Sequence, residues 1–186
     1  MKRLIVGMVL ALAASLPAVA QKTVTFAYQD MMNPFRWVQQ TGEIEKATGY
    51  KINWRQFGGG GDVIRAMASG DVAIGEAGSA PIATAISQGL DVELFWILED
   101  IAAAEALVAR NGSNINSVAG LKGKKVGVPF VSTTHFHLLY AMELAGLKRG
   151  DVQVLNMRPP EIAAAWGRGD LDATFIWDPV LANVKK

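Results

Sequence analysis

The chain has no cysteine in 186 residues, which excludes disulfides, thiolate metal sites, iron–sulfur clusters, a cysteine nucleophile and a lipid on a leading cysteine. It also lacks an excess of charge of either sign. Eighteen Lys and Arg stand against 17 Asp and Glu, so a broad electrostatic grip on nucleic acid or on an acidic membrane is not expected. Only two histidines occur, His135 and His137, and a spacing of two points them to different sides of a helix, which spoils chelation of a metal. Phosphate fingerprints are missing as well. Gly58, Gly60 and Val63 fail G-x-G-x-x-G at its last position, and no Gly-Lys-Ser/Thr closes a P-loop. The residues call for no cofactor and no metal.

Long apolar runs are absent after the first 20 residues. At the start, Lys2 and Arg3 precede Leu4 to Leu16, followed by Pro17, Ala18, Val19 and Ala20. A basic region, a short apolar stretch and small residues at Ala18 and Ala20 predict a secretory signal peptide cut after Ala20 and a periplasmic, soluble product; the run is too short for a good membrane span. Loss of Lys2 and Arg3 turns the formal charge of +1 into −1.

What remains has 51% hydrophobic residues, enough to bury a core in one domain or two small lobes. Short β-rich runs alternate with helical patterns, the mark of βαβ units and a mostly parallel sheet. Strands are expected at 23–28, 51–57, 71–76 and 91–98, and helices at 33–48, from Asp62 to Gly70, and from Pro81. Residues 105–110 read as extended, with the crossing into a second lobe near Leu107 to Asn114. The division is a first lobe over 21–107 and a second over 108–186. The second repeats the scheme, with strands at 125–129, 152–156 and 173–177 and helices at 134–145 and 160–168.

Three junctions between a strand and a helix, Phe57 to Asp62, Gly75 to Pro81 and Pro129 to His135, place small or hydroxyl residues at helix starts. Free N–H groups and the positive end of the helix dipole stabilise an anion there without Lys or Arg, and glycine lets the backbone approach closely. Ordinary capping explains each loop taken singly. In open α/β sheets, however, ligands sit beyond the carboxyl ends of strands, where three such loops can converge on one crevice. Among acids, Glu76, Glu105 and Asp178 stand at strand ends. Tyr28, Trp96, Trp166 and Trp177 lie near strand ends or lobe surfaces, where a ring face helps to hold a small ammonium ligand. Trp37 and Trp54 read as packing residues. Ser79 stands in Gly78-Ser79-Ala80-Pro81 and not in G-x-S-x-G, and neither histidine has an identifiable orienting acid, so a serine hydrolase built on Ser79 and His135 is the weaker reading.

Specific words in the sequence add to these patterns. Gly61-Asp62-Val63-Ile64-Arg65-Ala66-Met67-Ala68-Ser69-Gly70-Asp71-Val72, Gly75 through Pro81, Val128-Pro129-Phe130-Val131-Ser132-Thr133-Thr134-His135, and Asn156-Met157-Arg158-Pro159-Pro160-Glu161-Ile162-Ala163-Ala164-Ala165-Trp166 with Gly169-Asp170-Leu171-Asp172 closely resemble the taurine-binding periplasmic proteins of ABC importers. The likeness covers Thr23 to Val180 in order. It implies an α/β type II periplasmic binding fold, two βαβ lobes closing on a small ligand, a monomer that delivers that ligand to a membrane permease, and no enzymatic activity. Taurine is a two-carbon zwitterion, so helix starts suit its sulfonate while a carboxylate and aromatic walls suit its ammonium.

The ligand-binding residues implied by the resemblance together with the loop chemistry are Tyr28, Gln29, Gly60, Gly61, Gly78, Ser79, Ala80, Glu105, Thr133, Thr134, His135 and Trp177. Some relatives carry an acid and a hydroxyl where this chain has Gly58 and Gly59. Another small sulfonate, or a nitrate-like or pyrimidine-like ligand, is the alternative within the fold. Members of the family run well beyond 186 residues, so the resemblance also implies a fold truncated before its C-terminal return, where a further ligand carboxylate would stand.

Overall fold

The computed structural model describes residues 21–186; the export signal read over residues 1–20 lies outside the described residues. Strand β1 (Thr23–Gln29) pairs in parallel with β2 (Lys51–Phe57), Thr23 opposite Lys51 through Gln29 opposite Phe57, and with the two-residue β3 (Ile74–Gly75). This gives a first sheet in the order β2-β1-β3. Around it lie α1 (Phe35–Thr41), α2 (Glu43–Thr48), α3 (Gly60–Ala68) and α4 (Ser79–Ser87). The second sheet contains β4 (Glu105–Ala109), β5 (Lys125–Val128), β6 (Gln153–Asn156) and β7 (Ala173–Trp177) in the order β4-β7-β5-β6. Its helices are α5 (Thr133–Leu144), α6 (Pro159–Arg168) and α7 (Val180–Val184). The expected α/β build of two parallel-rich lobes is therefore present, with β4 alone running antiparallel, against β7.

The sequence shows why the second lobe forms. In β5, Val126, Gly127 and Val128 are all buried, as a central parallel strand covered on both faces requires. Pro159 opens α6 where its missing N–H is harmless. Glu161 Oε2 accepts the Arg158 N–H at 2.7 Å, and Gly169, at φ 83°, ends the helix. Its inner face brings Ile162 and Ala165 against Leu171, Ile176 and Leu181. On the other side of the sheet Leu138 and Met142 of α5 pack on Leu121, Val126 and Val128. The first lobe is leaner: its buried cluster is Ala27, Val63, Ala66 and Val72.

Five expectations are corrected. The helix read over 33–48 is two helices, because Gly42 at φ 66° ends α1 and turns its N–H to the Val38 carbonyl. The strand read over 71–76 shrinks to Ile74–Gly75. Residues 91–98 form no strand: Leu94, Phe95, Trp96 and Ile97 are 61–80% exposed, since alternating hydrophobicity marks a face but supplies no neighbouring strand to bond to. Trp37, read as helix packing, is 69% exposed. The change of sheet also falls earlier than Leu107 to Asn114. Strand β4 already belongs to the second sheet, and Arg110 is tied into that lobe by donating to the carbonyls of Asp172 (backbone N–H, 2.8 Å), Leu171 (Nε, 2.9 Å) and Trp166 (Nη2, 2.5 Å). The chain crosses between α4 and β4 instead, over residues 88–104, and the division expected at 107/108 runs through β4.

The uneven cores predict where truncation is costly. Leu138→Ala and Ile162→Ala, both at fully buried positions, are each expected to lower unfolding free energy by about 2–5 kcal/mol. Ile86→Ala, at a 54% exposed position, should cost within about 0.5 kcal/mol. Urea titrations followed by tryptophan fluorescence check the contrast.

Candidate functional site

The seam between the sheets is built from strand ends and helix starts. Gln29 ends β1, Trp177 ends β7 and Glu105 begins β4, while Gly60 begins α3, Gly78 precedes α4, and Ser132 and Thr133 start α5; all seven line one narrow cleft of about 10 Å³. Met31, Pro81 and Ile101 complete its wall. Three helix N-termini thus converge on one small volume, each from a helix of nine or more residues.

Their approach depends on missing side chains. A β-carbon at Gly78 would collide with Thr133 Oγ1, one at Gly60 would lie 2.5 Å from Pro81 Cγ, and one at Gly61 would lie 2.8 Å from Val131 Cβ. Gly78 and Gly61 belong to the first lobe and Thr133 and Val131 to the second, so two of these contacts cross the seam. Val131 itself adopts φ 55°, a conformation costly for a β-branched residue. It is held there by the loop, in which Val131 N–H donates to His135 Nδ1 at 3.4 Å and Ser132 Oγ donates to the Pro129 carbonyl at 2.5 Å.

Polar groups at the cleft divide into those already satisfied and those free to act. Ser132 Oγ accepts the His135 N–H at 3.1 Å and shares a 2.8 Å contact with Thr134 Oγ1, so both hydroxyls are spent on capping α5. Thr133 Oγ1 is different: it is buried and has no hydrogen-bond partner among the described residues. A buried hydroxyl left so costs about 1–3 kcal/mol relative to a bonded one, and this one stands at a helix start facing the other lobe.

Glu105 supplies the negative charge. Burial first, and the nearby Glu99 carboxylate second, push its carboxyl up from 4.5 to about 7. In the β4–β7 ladder it sits opposite Trp177, whose indole is 3% exposed and donates Nε1–H to the Asp30 carbonyl of the first lobe at 3.2 Å. A carboxylate and a ring therefore stand side by side. Glu76, a fully buried acid, is committed elsewhere. Its Oε1 accepts the Gln29 N–H at 2.7 Å and its Oε2 meets Arg36 Nη2 at 2.6 Å; burial raises its carboxyl against the pull of these partners.

The other residues expected at the site fall around it. Tyr28 lies under the Arg36 guanidinium, 4.4 Å from the ring centre, and edge-on to Trp54; it belongs to an aromatic group with Phe26, Phe35 and Trp54 rather than to the cleft wall. Ser79 is exposed in the first turn of α4 with Ala80 beside it, and neither lines the cleft. Thr134 is fully buried in its capping role. His135 stacks on Phe130 at 4.3 Å and is lowered from its ordinary pKa by burial and then by Arg149. No hydrogen bond joins it to Ser79 among the described residues, which leaves the hydrolase reading without a dyad. Gly58, Gly59 and Asp62 line a second, wider groove, where Arg158 Nε lies 3.7 Å from Asp62 Oδ2. Met31, Pro81, Ile101 and Ser132 were missed as lining residues. Ser132 and Pro81 carried capping signals, whereas nothing in the apolar Met31 or Ile101 distinguishes a wall from a core.

Two α/β lobes meeting at a cleft of strand ends and helix starts define the architecture of the periplasmic binding proteins. Solved structures agree. The alkanesulfonate-binding protein SsuA of Xanthomonas axonopodis pv. citri, bound to MOPS, superposes with a TM-score of 0.78 at 28% identity, covering 86% of this chain and 56% of that one. The periplasmic aliphatic sulphonate binding protein SsuA of Escherichia coli gives 0.65 at 30% identity, over 88% and 56%. Among curated sequences, the taurine-binding periplasmic protein of Escherichia coli K12 is 41% identical over 163 residues, 88% of this chain and 50% of the relative. A putative aliphatic sulfonates-binding protein of the same organism is 35% identical over 129 residues, 69% of this chain and 40% of the relative. Residues 46–185 match the NMT1/THI5 like family model, and the chain belongs to that family. It spans about half the length of the curated relatives it matches.

The raised Glu105 carboxyl sets a stability prediction. An acid whose pKa is higher folded than unfolded favours the fold while protonated, so its contribution is complete below about 4.5 and disappears as pH rises through about 7. The melting temperature should therefore drop between pH 5 and 8, and Glu105→Gln should flatten that drop by a few degrees, on the order of what about 1 kcal/mol gives in a chain this size. Calorimetric melts at five pH values check it; parallel curves for the two proteins would show that Glu105 titrates alike in both states.

Proposed function

We propose that this chain is the ligand-capturing portion of an exported sulfonate-binding protein, that its ligand is taurine, and that it serves the permease of an ABC importer as a monomer in the periplasm. One observation carries the reading: a single small cleft combines converging helix starts and the unpaired Thr133 hydroxyl with a half-buried carboxylate beside an indole. A sulfonate carries its charge on three oxygens, each able to accept backbone N–H and hydroxyl donors, and helix termini supply these in fixed positions. An ammonium needs the reverse, a carboxylate for charge and a ring face for its polarised hydrogens. The relatives' names support the same ligand class.

In this reading the α3, α4 and α5 starts and Thr133 take the sulfonate, and Glu105 with Trp177 takes the amine. Gln29 positions Glu76 and the β1 end through its own amide, donating Nε2–H to the Glu76 carbonyl at 3.2 Å, and so shapes the wall. Glu105 also discriminates. A sulfonate without an amine leaves the carboxylate facing an apolar chain, and burying that charge unpaired is costly, whereas taurine neutralises it.

Titration calorimetry against taurine and against ethanesulfonate, its amine-free counterpart, tests the assignment. Taurine should bind and ethanesulfonate should bind more weakly. Thr133→Val is expected to weaken both ligands by about 1–3 kcal/mol, the worth of a charge-assisted hydrogen bond. Glu105→Gln should weaken taurine by at least about tenfold and leave ethanesulfonate bound as tightly or more tightly, since the unpaired charge is gone. Equal loss for both ligands on Glu105→Gln would remove Glu105 as the amine partner, and taurine heats equal to buffer would remove taurine as the ligand.

A further inference from the structure

Glu105 has a neighbour that the ligand reading does not use. His137 lies on α5, one turn beyond Thr133, and its Nδ1 stands 4.0 Å from Glu105 Oε2. The two side chains differ in access: that of Glu105 is 9% exposed and that of His137 50%. The imidazole thus touches solvent on one side and the cleft carboxylate on the other, and its ring lies 6.1 Å from Phe175 of β7. The groups packed around Glu105 leave it little other company. Glu99, on the segment leading into β4, adds a like charge. Neither β7 (Ala173–Trp177) nor α7 (Val180–Val184) carries an ionisable side chain, and Asp178 turns its carboxylate to the Ala182 N–H at 2.9 Å. On the cleft side the facing side chain of β1 is the uncharged Gln29.

We propose that His137 is an internal competitor of the ligand's ammonium group for Glu105, so that protons taken up from solvent by this pair antagonise the capture of an amine-bearing sulfonate. The proposal rests on the reading of the cleft given above, with Glu105 as the amine partner. A protonated imidazole at 4 Å offers Glu105 the positive charge that the ammonium would otherwise bring, and the two cations cannot both sit against one desolvated carboxylate without repelling each other. Binding of the ammonium therefore favours the pair with no proton on it, and by linkage each proton lost on binding lowers affinity as pH falls. Burial, and then the Glu99 carboxylate, push the Glu105 carboxyl up to about 7, so the carboxylate that stands 4.0 Å from the imidazole changes charge within the physiological span. Half-exposure lets His137 exchange that proton with bulk water.

The test measures taurine affinity of the purified protein from pH 5.5 to 8.5 beside His137→Gln and His137→Lys, with ethanesulfonate as the amine-free control. In the unmodified protein, affinity for taurine should rise with pH through about 7, where the Glu105 carboxyl changes charge, and more steeply than in His137→Gln. His137→Gln should bind taurine about 3–10-fold more tightly than the unmodified protein at pH 6 and equally, within about twofold, at pH 8.5, and its slope should not exceed about tenfold per unit. His137→Lys installs a permanent cation and should weaken taurine by at least about tenfold at pH 8.5. Ethanesulfonate affinity should not show these responses. If His137→Gln binds taurine equally or more weakly at pH 6, or His137→Lys binds it normally at pH 8.5, the competitor role is overturned while the ligand reading stands. No taurine binding by the unmodified protein at pH 8.5 would overturn both.

Discussion

The structure depends on how closely two backbones come at the seam. Gly78 lies so near Thr133 that no side chain fits between them, and Gly61 presses on Val131 in the same way. Where polypeptides approach this tightly, the peptide N–H groups at the helix starts are left with room only for a small acceptor. That constraint explains the composition of the loops, which are rich in glycine and short hydroxyl residues and carry no Lys or Arg at the cleft. It also explains why an anion reading and an absence of net positive charge are compatible: fixed dipoles need no mobile cation.

A division of labour among the polar groups follows. Ser132, Thr134 and His135 stand within four residues of one another in the chain, and their bonds turn inward to hold the α5 start and its unfavourable Val131 backbone. Thr133 alone of this run is left without a partner. Similarly, of the two acids at the seam, the buried Glu76 is consumed by Arg36 and the Gln29 amide, and the half-buried Glu105 is not. Rigid, fully bonded neighbours around one free group are what binding sites require, since the free group then meets its ligand without first rearranging.

Much of this was legible in the chain. The alternation of β-rich and helical runs identified both lobes, and the loop chemistry identified three junctions that the fold does bring together at Gly60, Gly78 and Thr133. Glu105 and Trp177 were readable as strand-end groups, though not as cross-strand neighbours, because register is a property of pairing and not of either strand. Thr134 and His135 look like ligand donors in sequence, and only their bonds to Ser132 and Val131 show that they turn to the α5 start, while Ser79 stands exposed beside the cleft. Tyr28 misled differently. Its alternation in β1 placed it at the strand end, but the side chain points to the face that carries Arg36 and Trp54. The segment 91–98 has strand-like hydrophobicity yet pairs with neither sheet, a circumstance invisible to periodicity.

The two lobes are unequally furnished, four residues in the first lobe's buried cluster against two larger clusters in the second. Local opening free energy tracks buried apolar contact, so amide protons on β1 and β2 should exchange well before those on β5 and β7, and the first lobe is the softer half. A molecule that bridges Gly78 and Thr133 then does more than fill space. It lends the softer half the order of the stiffer one, and part of its binding free energy appears as protection of amides that it never touches.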